Sequence, residues 1–158
     1  MADIFTRAKR SFVMSRILGR GNERTESRFL GILREHSITG WRRHQKLPGC
    51  PDFVFRKQKV AVFVDGCFWH CCPKHGRLPD SNLAYWLPKL ARNKRRDRRV
   101  SRQLRARGWA VLRFWEHDLK NDERVRRRLL RALTRFSHLA PLESPVRKHR
   151  ALAGRKAK

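Results

Sequence analysis

The sequence has few acidic residues and no long apolar run. Against 40 Lys and Arg residues there are only 13 Asp and Glu, which gives a formal net charge of +27. Solubility does not require a positive excess of this size. The excess indicates a polyanionic partner, and nucleic acid is a better candidate than a membrane surface. No stretch approaches the ~18 consecutive apolar residues of a transmembrane helix, and the start lacks the apolar core of a signal peptide. We therefore expect a cytoplasmic protein with no membrane partner.

Cysteine is also scarce and unevenly placed. Of the four cysteines, Cys67, Cys71 and Cys72 fall within six residues and among histidines, whereas Cys50 stands apart. In a reducing compartment, such a cluster is typical of metal binding rather than of disulfides. The cluster is therefore a candidate metal site.

Zinc is the metal that these residue types favour, because it takes about four sulfur or nitrogen ligands in a tetrahedron. Three candidates follow the spacing Cys-x4-Cys-x2-His, and a fourth comes much later in the chain: Cys67, Cys72, His75 and His117. Such a site would order a loop of about fifteen residues that has no regular structure of its own. The spacing is not a standard Cys-x2-Cys pair, so free thiols near unrelated histidines stay an alternative, and Cys71 could replace Cys72.

The apolar pattern predicts an α/β domain at residues 21–137. A strand–helix–strand crossover buries both faces of a sheet, and the almost wholly apolar third strand is expected at its centre. A loop rich in Cys, His, Pro and Gly covers residues 66–81. The predicted elements are a helix capped by Asn22, strands at 41–45, 52–56 and 60–64, a helix at 83–107, a strand at 109–115 and a helix at 123–136.

The two ends of the chain differ from its centre. Residues 1–20 are basic, with apolar residues at helical spacing, and predict an N-terminal arm or short helix whose charge suits contact with DNA. From Arg147 onward the chain has six basic residues and no acid. Residues 138–158 are therefore predicted to be a basic, disordered tail.

In so basic a chain, each carboxylate stands out. Asp52 opens the second predicted strand and Asp65 ends the third, so two neighbouring strands could bring them to one edge of the sheet, within reach of Glu26. Phosphodiester-cleaving sites gather oxygen ligands for Mg²⁺ in this way. His70 could act as general base, with Asp97 orienting its ring. Spacing alone nevertheless favours a simpler interpretation, in which these acids only offset local positive charge.

Several aromatic residues fall in or beside the loop rather than on strands: Phe68, Trp69, Tyr85 and Trp86. An apolar side chain on a basic surface can enter between base pairs and unstack them. The alternative is that these rings only cover the cysteines and the sheet.

Together these motifs resemble the very short patch repair endonucleases. The matching segments lie at residues 47–54, 62–70, 85–97 and 108–117, and the resemblance covers roughly residues 7–137. The string Gly-Cys-Phe-Trp-His at 66–70 is its most specific part. The resemblance implies a restriction-endonuclease-like fold, a central mixed sheet flanked by helices with a structural zinc site.

The activity that the resemblance implies is the nicking of one DNA strand on the 5′ side of a thymine mispaired with guanine. Such mispairs arise when 5-methylcytosine deaminates, and the nick starts a short resynthesis. The implied cofactors are structural Zn and catalytic Mg. The implied partner is double-stranded DNA with a T·G mismatch, bound by a monomer, with repair factors as further partners.

The resemblance also implies catalytic roles for four side chains and a magnesium-binding role for one backbone carbonyl. Asp52 and the backbone carbonyl of Val64 match magnesium ligands. His70 matches a catalytic histidine with Asp97 behind it, and Glu26 matches an active-site glutamate on the first helix.

Further matches concern DNA and zinc. Phe68, Trp69 and Trp86 match residues that are wedged beside the mismatch, and Met14 and Ile17 match an arm in the minor groove. The implied zinc ligands are Cys67, Cys72, His75 and His117.

The sequence departs from related patterns at one strand end. Restriction-type nucleases usually carry Asp/Glu-x-Lys there, but this chain has Asp65-Gly66-Cys67. With no lysine in that triplet, His70 must handle the proton. Asp65 stays a catalytic candidate whose role, as metal ligand or as neighbour, is open.

Two other functions remain open. One is a restriction-type or defence-system nickase with no dependence on a mismatch. The other is a non-catalytic, zinc-stapled DNA-binding module. Asp52 and Glu26 speak against the second, because carboxylates that face phosphates repel them.

Overall fold

The computed structural model describes residues 22–137, and a mixed sheet organises them. One turn of π-helix at Glu23–Ser27 leads into the first helix, and one turn of 3-10 helix lies at Glu116–Lys120. The helices are α1 (Arg28–Glu35), α2 (Leu83–Ala106) and α3 (Asp122–Ser137). The strands are β1 (Trp41–Arg43), β2 (Phe53–Phe55), β3 (Val60–Asp65) and β4 (Ala110–Trp115).

The sheet has the order β1-β2-β3-β4. β1 pairs antiparallel with β2, and β2 pairs antiparallel with β3. β3 and β4 pair in parallel, so a crossover must join them, and α2 forms it. Every residue of β3 is buried, which confirms the predicted central strand.

Alternate residues of β3 pack into two separate cores. Val60, Val62 and Val64 join the larger cluster, which α1 and α3 cover from one face. Ala61 and Phe63 join the smaller cluster, which α2 covers with Val100 and Leu104. This period of two is what a strand buried on both faces requires. The predicted α/β class and the mixed sheet flanked by helices are confirmed.

The boundaries differ from the predicted ones at several ends. The first strand ends two residues earlier than predicted, because left-handed backbone at His44 (φ 47°) turns the chain, and β2 is one residue shorter than predicted at each end. The helical region begins after Asn22 as predicted, and the side-chain oxygen of Asn22 accepts the N–H of Arg24 (2.9 Å). The 3-10 turn after β4 was not predicted.

Gly49 brings the turn before β2 directly against α2. Its φ is +75°, and a Cβ at this position would lie 2.4 Å from Cγ1 of Val100. Only glycine accommodates both the backbone angle and the close approach. The turn that leads to Asp52 is therefore seated on the helix that carries Asp97.

Some predictions concern segments that lie outside the described residues. These are the arm at 1–20, with Met14 and Ile17, and the tail at 138–158. Between residues 22 and 137, no helix is long and apolar enough to cross a membrane.

Candidate active site and metal centre

Acidic residues meet at one edge of the sheet. Because β2 and β3 are antiparallel, the start of one strand lies beside the end of the other. The N–H of Val64 donates to Oδ2 of Asp52 (2.7 Å), which ties the turn to β3. A cleft of about 520 Å³ opens here, which we call the acidic cleft. The five predicted catalytic residues all line it: Glu26, Asp52, Asp65, His70 and Asp97.

The surroundings of Asp52 disfavour its charge. Burial raises the pKa of this carboxyl from 3.8 to about 6, and the nearby Glu26 and Asp65 carboxylates act in the same direction. The hydrogen bond from Val64 and the charge of His70 act against the rise. A carboxylate that is desolvated and crowded by like charges is stabilised by a cation.

Glu26 reaches the acidic cleft from the π-helical turn before α1. It is only 3% exposed. Arg43 on β1 donates to Oε2 of Glu26, and Nε2 of His44 lies 3.5 Å from the same oxygen. These contacts hold the buried carboxylate at the cleft wall.

His70 and Asp97 form a close pair. Nδ1 of His70 lies 2.6 Å from Oδ2 of Asp97, which sits halfway along α2. Burial tends to raise the pKa of Asp97, but the hydrogen bond to His70 and the charges of His70 and Arg113 outweigh it and lower the pKa below its ordinary value. An ionised carboxylate at Nδ1 favours the tautomer with its proton there, which leaves the Nε2 lone pair available.

The sequence prediction missed Arg113, which lies on β4 opposite these acids. Its guanidinium donates to both oxygens of Asp65 (Nε to Oδ2 2.6 Å, Nη2 to Oδ1 3.0 Å). Its Nη2 also lies 3.2 Å from Oδ1 of Asp97. A lone arginine inside the otherwise apolar strand Ala-Val-Leu-Arg-Phe-Trp was the available signal.

The four predicted zinc ligands come together at the other side of the loop. The donor atoms of Cys67, Cys72, His75 and His117, which we call the Cys/His cluster, lie within 4.8 Å of one another. Nδ1 of His117 is 3.3 Å from Sγ of Cys67 and 3.5 Å from Sγ of Cys72. Ordinary zinc bond lengths in a tetrahedron separate such donors by roughly 3.3–3.8 Å. The residues therefore fit a single metal ion.

The two adjacent cysteines have different surroundings. Cys72 is buried in the Cys/His cluster. Cys71 has left-handed backbone (φ 55°), and its Sγ faces the carbonyl oxygen of Leu90 at 4.0 Å. Cys50 is exposed on the turn before β2 and lies outside the cluster.

The aromatic residues of the loop pack on one another. Phe68 lies 5.0 Å from Trp69 and 5.2 Å from Trp86, between ring centroids, and Tyr85 lies 5.1 Å from Trp86. We call these four rings the aromatic group. Trp86 is only 5% exposed and forms its base, whereas Tyr85 is 48% exposed. Nζ of Lys89 lies above three of the rings and donates to the Tyr85 hydroxyl (2.8 Å).

A basic row on α2 lines a second cleft of about 630 Å³ beside His70 and Asp97. Four side chains of this row lie three or four residues apart, so they share one helix face: Lys94, Arg98, Arg102 and Arg105. Between residues 22 and 137, none of them forms an ion pair with an acid. The row is therefore available to a polyanion.

Comparison with known proteins identifies the family. A family model described as DNA mismatch endonuclease Vsr matches residues 2–75. DNA mismatch endonuclease Vsr of Escherichia coli is 34% identical over 129 residues, which cover 79% of this chain and 80% of that protein. The type II nicking enzyme V.XorIIP of Xanthomonas oryzae pv. oryzae is 39% identical over 126 residues, or 77% of this chain and 89% of that protein.

A further relative matches a shorter segment more strongly. The type II nicking enzyme V.NaeI of Lentzea aerocolonigenes is 60% identical over 72 residues, which are 46% of this chain and only 43% of that protein. The Escherichia coli relative spans most of both chains and decides the assignment. The chain belongs to the Vsr DNA mismatch endonuclease family.

Proposed function

We propose that this protein is an endonuclease that nicks one strand of duplex DNA on the 5′ side of the thymine in a T·G mispair. The observation that carries the proposal is the meeting of Asp52 and the His70–Asp97 pair in one cleft beside the aromatic group. A net charge of +27 supplies affinity for the phosphates of any duplex. A monomer suffices, because a single nick needs a single active site.

Magnesium fits the acidic cleft, because the donors there are oxygens and the Asp52 carboxylate is crowded by like charges. Asp52 and the carbonyl of Val64 would hold the ion, with Glu26 close by. When bound, it would polarise the scissile phosphate and stabilise the charge that develops on it.

His70 is the proposed general base. With its proton held on Nδ1 by Asp97, Nε2 can accept a proton from the attacking water. The imidazolium that forms is then stabilised by the Asp97 carboxylate. His70 thus takes the role of the lysine in the Asp/Glu-x-Lys triplet of restriction-type nucleases. In this chain Cys67 occupies the position of that lysine.

Zinc is the metal proposed for the Cys/His cluster, because two sulfur and two imidazole donors suit it better than they suit magnesium. Cys67, Cys72, His75 and His117 would supply all four ligands that zinc takes. Such a closed site stabilises structure and leaves no position for substrate.

The aromatic group is the part of the protein that we propose recognises the mispair. Phe68 and Trp69 lie between two zinc-ligand candidates, so a bound metal would hold their backbone. Inserting a ring between base pairs costs a few kcal/mol of unstacking, and less where the pairing is already weak. That difference would select the mispaired step.

A second candidate is a nickase that does not require a mismatch. Five relatives carry the name type II nicking enzyme. The burial of Trp86 also favours it, because a ring that is 5% exposed presents little surface to DNA unless the group rearranges.

A nicking assay separates the two candidates. The substrates are a matched duplex and the same duplex with one T·G pair, each labelled on both strands and incubated with Mg²⁺ or with EDTA. The proposal expects one cut, 5′ of the mispaired T, in the T·G duplex with Mg²⁺ alone. Equal cutting of both duplexes would support the second candidate. No cutting of either duplex with Mg²⁺, by protein that binds both, would contradict the proposed activity.

A further inference from the structure

Arg113 connects two carboxylates that would otherwise compete for one histidine. Nδ1 of His70 lies 2.6 Å from Oδ2 of Asp97 and 3.6 Å from Oδ1 of Asp65. A small rotation of the imidazole would exchange one acceptor for the other. The position of Nε2 at the acidic cleft would change with it.

We propose that Arg113 is a positioning residue for nicking: it occupies Asp65 and anchors Asp97, so that Asp97 alone accepts the Nδ1 proton of His70. The inference rests on the proposed function for the role of His70. It goes beyond that function in naming the residue that selects between two acceptors.

The hydrogen bonds of Arg113 are distributed as this role requires. Both oxygens of Asp65 receive an N–H from the guanidinium, at 2.6 and 3.0 Å, whereas Asp97 receives a longer contact of 3.2 Å to Oδ1. Oδ2 of Asp97 is thereby left to His70. A planar fork with several donors can hold two carboxylates at once, which a lysine ammonium cannot do in fixed geometry.

Packing fixes the guanidinium itself. Its carbon lies 4.7 Å from the ring centroid of Phe63, and Nη1 lies 3.4 Å from both Oγ of Ser101 and the backbone oxygen of Asp97. The side chains of Asp65, Asp97 and Arg113 are 5%, 16% and 23% exposed. Two shielded carboxylates this close would repel each other without the cation between them.

The contacts with Arg113 also define the role of Asp65 in the site. Its charge is compensated by Arg113, and both of its oxygens are occupied. Asp65 therefore acts as a neighbour that shapes the His70–Asp97 pair, and not as a magnesium ligand.

The test compares Arg113→Met with Arg113→Lys and with the double variant Asp65→Ala, Arg113→Met. Three quantities are measured: the single-turnover nicking rate on T·G duplex, the DNA dissociation constant in EDTA, and the His70 tautomer from ¹⁵N NMR of the metal-loaded protein without DNA. Arg96→Met is the matched control for the tautomer, because Arg96 is an exposed arginine 3.7 Å from the same Asp97 carboxylate.

We expect Arg113→Met to lower the nicking rate by about 10- to 100-fold, the usual loss when an orienting partner is removed, with DNA affinity unchanged. The ¹⁵N signals of His70 should shift from the Nδ1–H tautomer towards a mixture. The double variant should recover at least about tenfold of the lost rate, because the competing acceptor is gone. Arg96→Met should keep the wild-type tautomer.

A wild-type nicking rate in Arg113→Met would overturn the inference, and so would a lower rate with an unchanged tautomer. If Arg113→Met does not fold, Arg113→Lys decides in the same way, since it keeps the charge and loses the fork. Wild-type protein that cuts no duplex would instead contradict the proposed function, and the tautomer measurement would still test the role of Arg113.

Discussion

The acidic cleft and the Cys/His cluster lie on either side of one loop, yet they are built differently. The cluster brings four sulfur and nitrogen donors within 4.8 Å of one another, enough to satisfy a tetrahedral ion. The cleft offers carboxylates around an open volume of about 520 Å³, where water and phosphate can enter. Open coordination suits chemistry, whereas closed coordination suits structure.

The two regions are joined by sequence. His70 lies between Cys67 and Cys72, so the residues that close the cluster also fix the backbone of the proposed general base. Substitutions that remove a ligand of the Cys/His cluster should therefore also impair the acidic cleft. Substitutions in the acidic cleft should leave the cluster and its metal unchanged. This asymmetry can be tested with single substitutions.

The largest effect is expected from His117→Ala, which removes one ligand from the cluster. Structural zinc contributes on the order of 10 kcal/mol in small zinc-folded peptides, as much as the whole stability of many domains. The variant should lose its metal, unfold at a much lower temperature and lose nicking. Elemental analysis and calorimetry check this, with Cys50→Ser as control, because Cys50 is exposed and outside the cluster. Wild-type protein purified without chelator and found free of zinc would contradict the metal assignment.

Asp52→Ala should abolish nicking and leave the fold intact. It removes the proposed charged magnesium ligand, and it also removes a carboxylate whose burial raises its pKa to about 6. Zinc content and unfolding temperature should stay close to the wild type, and DNA binding should persist or tighten, since one charge that repels phosphate is gone. Nicking at the wild-type rate would show that the cleft is not the active site.

His70→Ala should lower the single-turnover nicking rate by about 10²- to 10⁴-fold, the usual range for a lost general base. The cluster is formed by its neighbours, so zinc content should not change. His36→Ala is a suitable control, because His36 lies at the end of α1 and does not line the cleft. A similar loss in both variants would argue against a specific role for His70.

Much of this comparison was predictable from sequence. Strand and helix periodicity gave the order of the elements, and the antiparallel pairing of two neighbouring strands explains why Asp52 and Asp65 meet. The Cys/His cluster followed from residue types and the resemblance. The element order, the meeting of the two carboxylates and the Cys/His cluster depend on local residue patterns or on where strands end, and both can be read from the sequence.

Other features depend on side chains that meet only in the folded chain. Arg113 is one basic residue among 40, and its role emerges only when β4 lies beside the end of β3. The burial of Trp86 beneath Phe68 and Trp69 likewise needs the path of the loop. No periodicity encodes either contact.

The smallest effect is expected from Trp69→Ala, because Trp69 lines the acidic cleft as a member of the aromatic group and supplies neither a carboxylate nor a metal ligand. The variant should lose preference for T·G duplex, by an amount within the few kcal/mol that unstacking costs, and keep its non-specific affinity. Its salt dependence should match the wild type, because no phosphate contact is removed. Binding and nicking on matched and T·G duplexes across a salt series provide the measurement. An unchanged preference in the triple variant of Phe68, Trp69 and Trp86 to alanine would favour the mismatch-independent nickase.

The contact at Gly49 has a consequence for motion. Bare backbone of the turn that leads to Asp52 touches Val100 on α2, one helical turn beyond Asp97. Side-chain rotation cannot separate these two walls, so opening the cleft there requires movement of the backbone and loss of this packing. In hydrogen exchange, the Val64 amide, which donates to Asp52, should therefore be among the slowest on that edge of the sheet. We therefore expect any opening that admits a DNA duplex to occur at the opposite wall of the cleft, which the loop and the first turns of α2 form.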